Sequence, residues 1–144
     1  CESITTVVAW KKDIDDTVTK MSIEHKDDDM IFDSRMAWHF ALDTFKIFLT
    51  IDAMEAAKRV IKNQRGEEER YVDVNDACEK LVERSRIERE RFMEIYGVDY
   101  YDYNNFDVVI DTTNRSPEEV VALIMENFKK YTEDKESYVS PKVL

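Results

Sequence analysis

The stretch KIFLTIDAMEAAKRVI, residues 46–61, decides the fold class. Its first six residues are nearly continuous in apolar character, which is typical of a strand buried on both faces of a parallel sheet. Asp52 then predicts a helix N-cap, and Glu55 three residues later completes a capping box. A buried strand that leads directly into a helix is the repeating unit of an α/β fold.

Two further strands and two further helices extend this pattern. Met30-Ile31-Phe32 predicts a short buried strand, and residues 106–110 predict a third strand. A long helix is expected from about Asp73 to Tyr96, with Gly97 as its stop. Its predicted inward residues are Val74, Cys78, Leu81 and Val82.

Ser116-Pro117-Glu118-Glu119 is a strong helix start, with a Ser N-cap, Pro at the first position and Glu at the third. This last helix is expected to bury Val120, Val121, Ile124 and Phe128. Residues 1–28 are interpreted as a helix that is preceded by a frayed, irregular beginning. The tail, residues 132–144, is polar and expected to be loose.

The chain has 144 residues, which predicts one domain over residues 1–144. We expect a parallel sheet flanked by helices. Three strands make a thin sheet for this class, and a parallel sheet needs both faces covered, which predicts that a strand is missing.

Charge and composition narrow the classes of partner. The net charge of −11 argues against a general nucleic-acid or membrane surface. No apolar run is long enough to span a bilayer, and the first residues carry no secretory signal. Cys1 and Cys78 have no metal or redox spacing, so they are interpreted as free thiols in the cytoplasm. An acidic protein binds a phosphorylated ligand only by gathering its arginines locally.

The chain has only two glycines, Gly66 and Gly97, where average usage would give about ten. It contains neither G-x-x-x-x-G-K-[ST] nor G-x-G-x-x-G. No phosphate-cradling loop is therefore encoded in these residues.

Arginines at three places are candidate phosphate ligands, because the planar guanidinium gives two parallel charge-assisted bonds. Arg84, Glu88 and Arg91 share one face of the long helix at i, i+4 and i+7. The alternative is a solvated, salt-bridged helix. Arg59 stands one turn before the end of its helix, where it could equally be a dipole partner. Arg35 follows a buried strand, at the edge where parallel α/β sheets bind ligands.

The order of these segments resembles cytidylate kinase, a nucleoside monophosphate kinase with the P-loop fold. The resemblance covers residues 28–131, and it is strong as an ordered set although each motif is weak alone. Residues 30–38, M-I-F-D-S-R-M-A-W, resemble the family strand that ends in a small residue and Arg. The other matching segments are residues 46–51 with 55–59, the Arg84, Glu88 and Arg91 set, residues 94–99, residues 103–113 and residues 114–121.

The resemblance implies a role for each position. Arg35 would hold the phosphate of the acceptor, and Arg84 and Arg91 would bridge the phosphates of donor and acceptor. Glu88 would help to place Arg91 and the acceptor nucleotide. The implied ATP-binding residues are Arg59, Thr112, Thr113 and Asn114, and residues 62–72 would form a short lid.

The family begins with a strand, a Gly-rich phosphate loop and a helix, and a second region reads the acceptor base. These parts are absent from this sequence. The ligands of the Mg²⁺ that accompanies ATP are expected in the absent parts, so no residue of this sequence is assigned as a metal ligand. The family's first strand lies between the strands at 30–33 and 46–51. The missing pieces would come from a longer chain, from another chain, or from an opening segment too poorly ordered to be represented.

Three hypotheses follow. The first is an enzyme that transfers the γ-phosphate of ATP to CMP or dCMP, or to UMP, and that is inactive as this chain alone. The second is a non-catalytic, kinase-derived module that binds nucleotides or anions. The third is a structural acidic α/β domain whose arginines form only surface ion pairs.

Overall fold

The structure is a computed structural model that describes residues 3–5, 12–63, 70–139 and 143–144. Strands and helices alternate along most of the described chain. In chain order they are β1 Ser3–Thr5, α1 Lys12–Glu24, β2 Met30–Phe32, α2 Ala37–Phe40, β3 Ile47–Thr50, α3 Ala53–Lys62, α4 Val74–Tyr96, a short 3₁₀ helix Tyr103–Asn105, β4 Val108–Asp111 and α5 Pro117–Glu133.

The strands form two separate parallel pairs. In one pair, β1 lies beside β2, with Ile4 opposite Ile31. In the other pair, β3 lies beside β4, with Leu49 opposite Ile110. The predicted α/β class with parallel pairing is confirmed, although the pairs do not join into one sheet within the described residues.

The prediction of a helix over residues 1–28 was wrong at its beginning, because Ser3–Thr5 is a strand. This opening stretch is rich in β-branched residues, which favour strands, and the loose helical spacing of its apolar residues concealed that signal. The helix itself occupies Lys12–Glu24.

The predicted helix ends are confirmed at four places. The side chain of Asp52 accepts hydrogen bonds from the backbone N–H groups of Met54 and Glu55. Asp73 caps α4, and Gly97 ends it with a left-handed φ of 68°, a conformation that glycine adopts without strain. Ser116 accepts from the N–H of Glu119, with Pro117 at the first helical position.

The core lies between β4 and α5. All three apolar residues of β4 are buried, and Val108 and Ile110 pack with Val120 of α5. Within the expected set of buried helix residues, the prediction was wrong for three: Val121 and Val82 are more than half exposed and Phe128 is 40% exposed. The apolar positions of α4 and α5 span more than one face of each helix, and only one face meets the core.

The two edges of the β3–β4 pair differ. Beyond β4, Leu144 donates from its N–H to Val109 O and accepts from the N–H of Asp111. Beyond β3, no described strand pairs, and the Ile47 and Leu49 side chains are 38% and 49% exposed. Apolar surface is therefore open on the β3 side and closed on the β4 side.

The tail is anchored where it is described, so the expectation of a loose tail was wrong there. Helix α5 continues to Glu133, beyond the predicted start of the tail. Tyr138 donates its hydroxyl to Asp107 O at 2.8 Å, and Lys135 pairs with Asp43 at 3.2 Å. The aromatic ring of Tyr138, polar only at its tip, allows this polar segment to pack.

Most of the predicted lid, residues 62–72, lies outside the described residues, which end at 63 and resume at 70. On the far side, the N–H of Val72 donates to the Asp76 carboxylate, and the Lys80 ammonium lies 5.6 Å from the Tyr71 ring centre. No helix in the described part of the chain is both long and apolar enough to cross a membrane.

The contrast between the two strands gives a stability prediction. Ile110 is fully buried, whereas Leu49 opposite it is half exposed. Ile110→Ala should lower the free energy of unfolding by about 2–5 kcal/mol through lost burial and a cavity. Leu49→Ala, the matched control, should lower it by about 1 kcal/mol or less. Urea unfolding followed by circular dichroism measures both, and equal losses would contradict the assignment of the core to the β4 side.

Candidate functional site

One face of α4 forms the wall of a cavity of about 1560 Å³. Arg84, Glu88 and Arg91 line it because residues at i, i+4 and i+7 lie on the same face of a helix. Arg35 lines it from the opposite side, a few residues after the end of β2. The structure therefore brings together the four residues that the resemblance assigned to the phosphates and to the acceptor nucleotide, and their roles stay predictions.

Arg35 and Glu88 form an ion pair across the cavity, between Nη1 and Oε2. The side chain of Glu88 is only 16% exposed, whereas that of Arg35 is 54% exposed. A largely buried carboxylate needs a counter-charge, and Arg35 supplies it here. The guanidinium of Arg35 keeps further N–H groups for another acceptor, because it has five in all.

Arg84 and Arg91 differ from the other two arginines of α4. Arg86 pairs with Glu83 at 2.6 Å and with Glu90 at 2.7 Å, and Arg89 bonds to Asp99 at 2.8 Å. Within the described residues, the side chains of Arg84 and Arg91 make no hydrogen bond and no ion pair. The salt-bridged surface that charge-rich helices usually form therefore accounts for Arg86 and Arg89, but it does not account for the two arginines that face the cavity.

The ion pairs of Arg86 and Arg89 shift the pKa values of their acids in the expected direction. The hydrogen bond from Arg86 lowers the pKa of Glu83, and the hydrogen bond from Arg89 lowers the pKa of Asp99. Both effects stabilise the charged carboxylate. The charges of Arg86 and Arg89 are thus paired, whereas the side chains of Arg84 and Arg91 are unpaired within the described residues, in a cavity that Asp76, Glu79 and Glu83 also line.

The end of the cavity near the C-terminus of α4 is aromatic and acidic. Phe40, Phe92 and Tyr96 line it, and the Phe40 and Tyr96 ring centres are 5.3 Å apart. The Tyr96 hydroxyl donates to Asp15 Oδ2 at 2.6 Å, and Asp16 stands beside Asp15 on the wall. The hydrogen bond to Asp15, together with partial burial, raises the pKa of Tyr96 to about 12. Tyr96 therefore remains a donor at neutral pH and holds the Asp15 carboxylate in place.

Sequence reasoning did not find this end of the cavity. Asp15 and Tyr96 are 81 residues apart, and no motif links them. Phe40 and Phe92 carry no spacing signal, since single aromatics are common core residues. The one available clue was an aromatic residue immediately before Gly97, at the place where α4 had to end.

A second cluster joins the end of α3 to the loop after β4. Arg59 donates from Nη2 to the carbonyls of Thr112 at 3.0 Å and Thr113 at 3.1 Å, and from Nε to Glu55 at 3.2 Å. The Thr113 hydroxyl donates to Asp111 at 2.6 Å and accepts from the backbone N–H of Asp52 at 2.9 Å. The hydrogen bond from Thr113 lowers the pKa of Asp111.

This cluster contains three of the four residues assigned to ATP by resemblance. Asn114 follows them and is exposed. None of the four lines the arginine cavity. The structure thus brings Arg59 to the loop that was predicted to lie against the adenine, and this group lies outside the lining of the arginine cavity.

Comparison with known protein families gives a match over most of the chain. The family model for cytidylate kinase-like proteins matches residues 7–114, about three quarters of the chain. The chain belongs to the cytidylate kinase-like family. The resemblance first seen in the order of segments is therefore confirmed, and the matched region includes the strand before Arg35, the arginine face of α4 and the loop at Thr112–Asn114.

A curated relative is the S-adenosylmethionine-dependent nucleotide dehydratase of Lacinutrix mariniflava. The two sequences are 30% identical over 103 residues, which are 72% of this chain and 20% of the relative. The chain thus spans about a fifth of the length of this relative. No solved structure matches the chain significantly.

The contacts of Arg59 give a prediction that needs no ligand. Arg59→Ala should lower the free energy of unfolding by about 1–2 kcal/mol, because two charge-assisted bonds to the Thr112 and Thr113 carbonyls are lost. The side chain is 42% exposed, which keeps the effect in the lower range. Urea unfolding measures it, with Lys58→Ala, an exposed neighbour on the same helix, as the control. A loss no larger than that of the control would show that Arg59 does not join α3 to the loop.

Proposed function

We propose that this family member forms the acceptor side and part of the donor side of a nucleoside monophosphate kinase that transfers the γ-phosphate of ATP to CMP or dCMP, or to UMP. The observation that carries the proposal is that Arg84 and Arg91, whose side chains have no partner among the described residues, line the same cavity as Arg35. Phosphoryl transfer depends on positioning and charge neutralisation, which arginines supply.

In this proposal Arg35 binds the phosphate of the acceptor, and Arg84 and Arg91 lie over the phosphates that are exchanged. Glu88 has two effects. Its ion pair holds Arg35 toward the cavity, and its position one turn from both Arg84 and Arg91 separates the two cations. A phosphate that enters competes with Glu88 for the Arg35 fork, so acceptor binding is expected to loosen that ion pair.

The donor side is proposed at Arg59, Thr112, Thr113 and Asn114. The hydrogen bonds from Arg59 to the loop support it, because they leave little freedom in the wall against which an adenine would lie. The residues described here offer no set of three or more His, Cys, Asp or Glu side chains placed to hold a metal ion. The ligands of the Mg²⁺ that accompanies ATP are proposed to come from the phosphate-loop segment, and no step is assigned to that ion.

A phosphate loop and its strand complete the proposed enzyme, from the same longer protein or from another chain. The open edge of β3 and the exposed Ile47 and Leu49 support a further strand at that position, since an unpaired edge leaves backbone N–H and C=O groups without partners. The two strand pairs are separate in this structure, and a further strand between β2 and β3 would join them into one sheet.

The second candidate is a nucleotide-binding module that does not itself transfer phosphate. The match to part of a protein named as a nucleotide dehydratase favours it, because such a module could serve another nucleotide chemistry. Both candidates bind a nucleotide phosphate at the same arginines, and they differ in whether ATP is used.

The arginine face gives a binding prediction. Arg84→Ala and Arg91→Ala should each weaken CMP binding by about tenfold to hundredfold, the effect of losing a charge-assisted hydrogen bond. Arg86→Ala on the same helix is the control and should leave binding unchanged, because Glu83 and Glu90 already hold that guanidinium. Isothermal titration calorimetry of CMP into each purified variant is the measurement. Equal losses in all three variants would indicate a general charge effect and would contradict a site at the cavity.

The proposal also predicts what the 144 residues do not do. Mixed with ATP and CMP, this chain alone should produce no ADP, because its sequence contains no phosphate-cradling loop for the β- and γ-phosphates. A coupled assay for ADP tests this, and adding the matching phosphate-loop segment should restore turnover. CMP-dependent ADP formation by this chain alone would contradict the proposal that the phosphate loop lies outside these 144 residues. Failure of turnover with both parts present would favour the binding module.

A further inference from the structure

We propose that Leu144 is a positioning residue for the donor site: it pairs with β4 as a residue of a parallel strand would, and it thereby fixes the loop at Thr112–Asn114 against which the adenine of ATP is proposed to lie. The inference rests on the proposed function, since the donor site is itself a proposal. It gives a role in ligand binding to a residue that lies outside the proposed donor site and outside the lining of the arginine cavity.

The backbone of Leu144 makes two hydrogen bonds to β4. Its N–H donates to Val109 O at 2.9 Å, and its carbonyl accepts from the N–H of Asp111 at 2.8 Å. These two bonds lie on either side of Ile110, which is the pattern by which one residue joins a parallel ladder. The side chain of Leu144 also packs against the core that β4 forms with α5, so apolar burial keeps the two bonds in place.

The end of β4 is held from both sides. On one side, Thr50 O of β3 accepts from the N–H of Thr112 at 2.8 Å and from its hydroxyl at 2.9 Å. On the other side, the Leu144 carbonyl accepts from the N–H of Asp111. Successive N–H groups of a strand point to opposite edges, so β3 does not reach the N–H of Asp111. Without Leu144 this group would stand at an unpaired edge.

Asp111 connects this backbone bond to the donor loop. Its Oδ1 accepts from the N–H of Thr113 at 2.9 Å and from the Thr113 hydroxyl at 2.6 Å. The hydroxyl oxygen in turn accepts from the N–H of Asp52, the residue that caps α3. Hydrogen bonds therefore run without a break from Leu144 to the beginning of α3. A loop that is already held in this way loses little freedom when a ligand binds, and this preorganisation favours binding.

The alternative role for Leu144 is to close the edge of the sheet and nothing more. An open edge invites pairing with other chains, and Leu144 covers the edge of β4. The hydroxyl of Tyr138 contacts Asp107 O just before β4, which fits such a cover. The bond to Asp111 and the connection to Thr113 favour the positioning role. The two roles differ in one measurable respect, because a cover for the edge changes stability without changing the affinity for ATP.

The test measures ATP and CMP binding separately, by isothermal titration calorimetry on the 144-residue chain. Leu144→Pro removes the N–H that bonds to Val109 and so loosens the carbonyl that holds Asp111. We expect it to weaken ATP binding by about three- to tenfold, the factor that corresponds to one net hydrogen bond, and to leave CMP binding unchanged. Leu144→Ala should act in the same direction by a smaller factor. Val143→Ala, at the 47% exposed neighbour, is the matched control and should keep wild-type affinity for both ligands.

A second control separates positioning from a general loss of stability. Val18→Ala weakens the separate core between α1 and α2, so it should destabilise the chain while leaving the affinity for ATP unchanged. Amide hydrogen exchange followed by NMR adds a readout without ligand. Leu144→Pro should speed exchange selectively at the N–H groups of Asp111, Thr113 and Asp52, whereas Val18→Ala should produce no such selective change.

The outcomes distinguish the role of Leu144 from the proposed function, with circular dichroism confirming that each variant is folded. Wild-type affinity for ATP in both Leu144 variants, or an equal loss in Val18→Ala, would overturn the positioning role and leave Leu144 as a cover for the edge. A parallel loss of CMP binding in Leu144→Pro would also overturn it. If the wild-type chain binds CMP but not ATP, the donor side of the proposed function fails, and the role of Leu144 fails with it.

Discussion

The parallel pairing of β3 with β4 holds the remaining parts of the structure in their relative places. It buries β4 beneath α5, and it carries the polypeptide from β3 into α3, which packs against α4. The same pairing brings the loop after β4 beside the end of α3, where Arg59 bonds to two of its carbonyls. A slip of one residue in this register would turn the buried side chains of β4 outward and separate that contact.

The distribution of charge on α4 is the second organising feature. The helix is rich in charges of both signs, and several of them pair with one another at i, i+3 and i+4. Arg84 and Arg91 escape this pairing within the described residues, because Glu88 between them is engaged by Arg35 from a different segment. A long-range ion pair therefore leaves two cations unneutralised on the cavity face. An acidic protein with a net charge of −11 can attract a phosphate at this place although its surface as a whole repels one.

Local signals in the sequence predicted local structure well. Asp52, Ser116 and Gly97 mark helix ends because capping needs only a few neighbouring residues, and all three act as predicted. Ser3–Thr5 was missed because short β-branched runs fit a strand or a loose helix equally until a partner strand is present. Val121 was expected to be buried because periodicity identifies an apolar residue without showing what covers it.

The long-range contacts in the site could not be predicted from the sequence. Spacing placed Arg84 and Arg91 on one face of a helix, and the end of a buried strand made Arg35 a candidate beside them. Neither indicated that Arg35 would pair with Glu88, or that Tyr96 would hold Asp15 from the far end of α4. These contacts depend on how α1, β2 and α4 come together. They decide which charges remain free, so the chemistry of the cavity became visible only with the fold.

The central claim is that Arg84 and Arg91 are unneutralised so that a nucleotide phosphate can bind between them. A crystal structure of the chain with CMP tests it most directly. The account predicts phosphate oxygens within hydrogen-bond distance of both guanidinium groups, with Arg35 turned from Glu88 toward the phosphate. A CMP phosphate bound away from α4, with the Arg35–Glu88 pair intact and Arg84 and Arg91 in solvent, would contradict it.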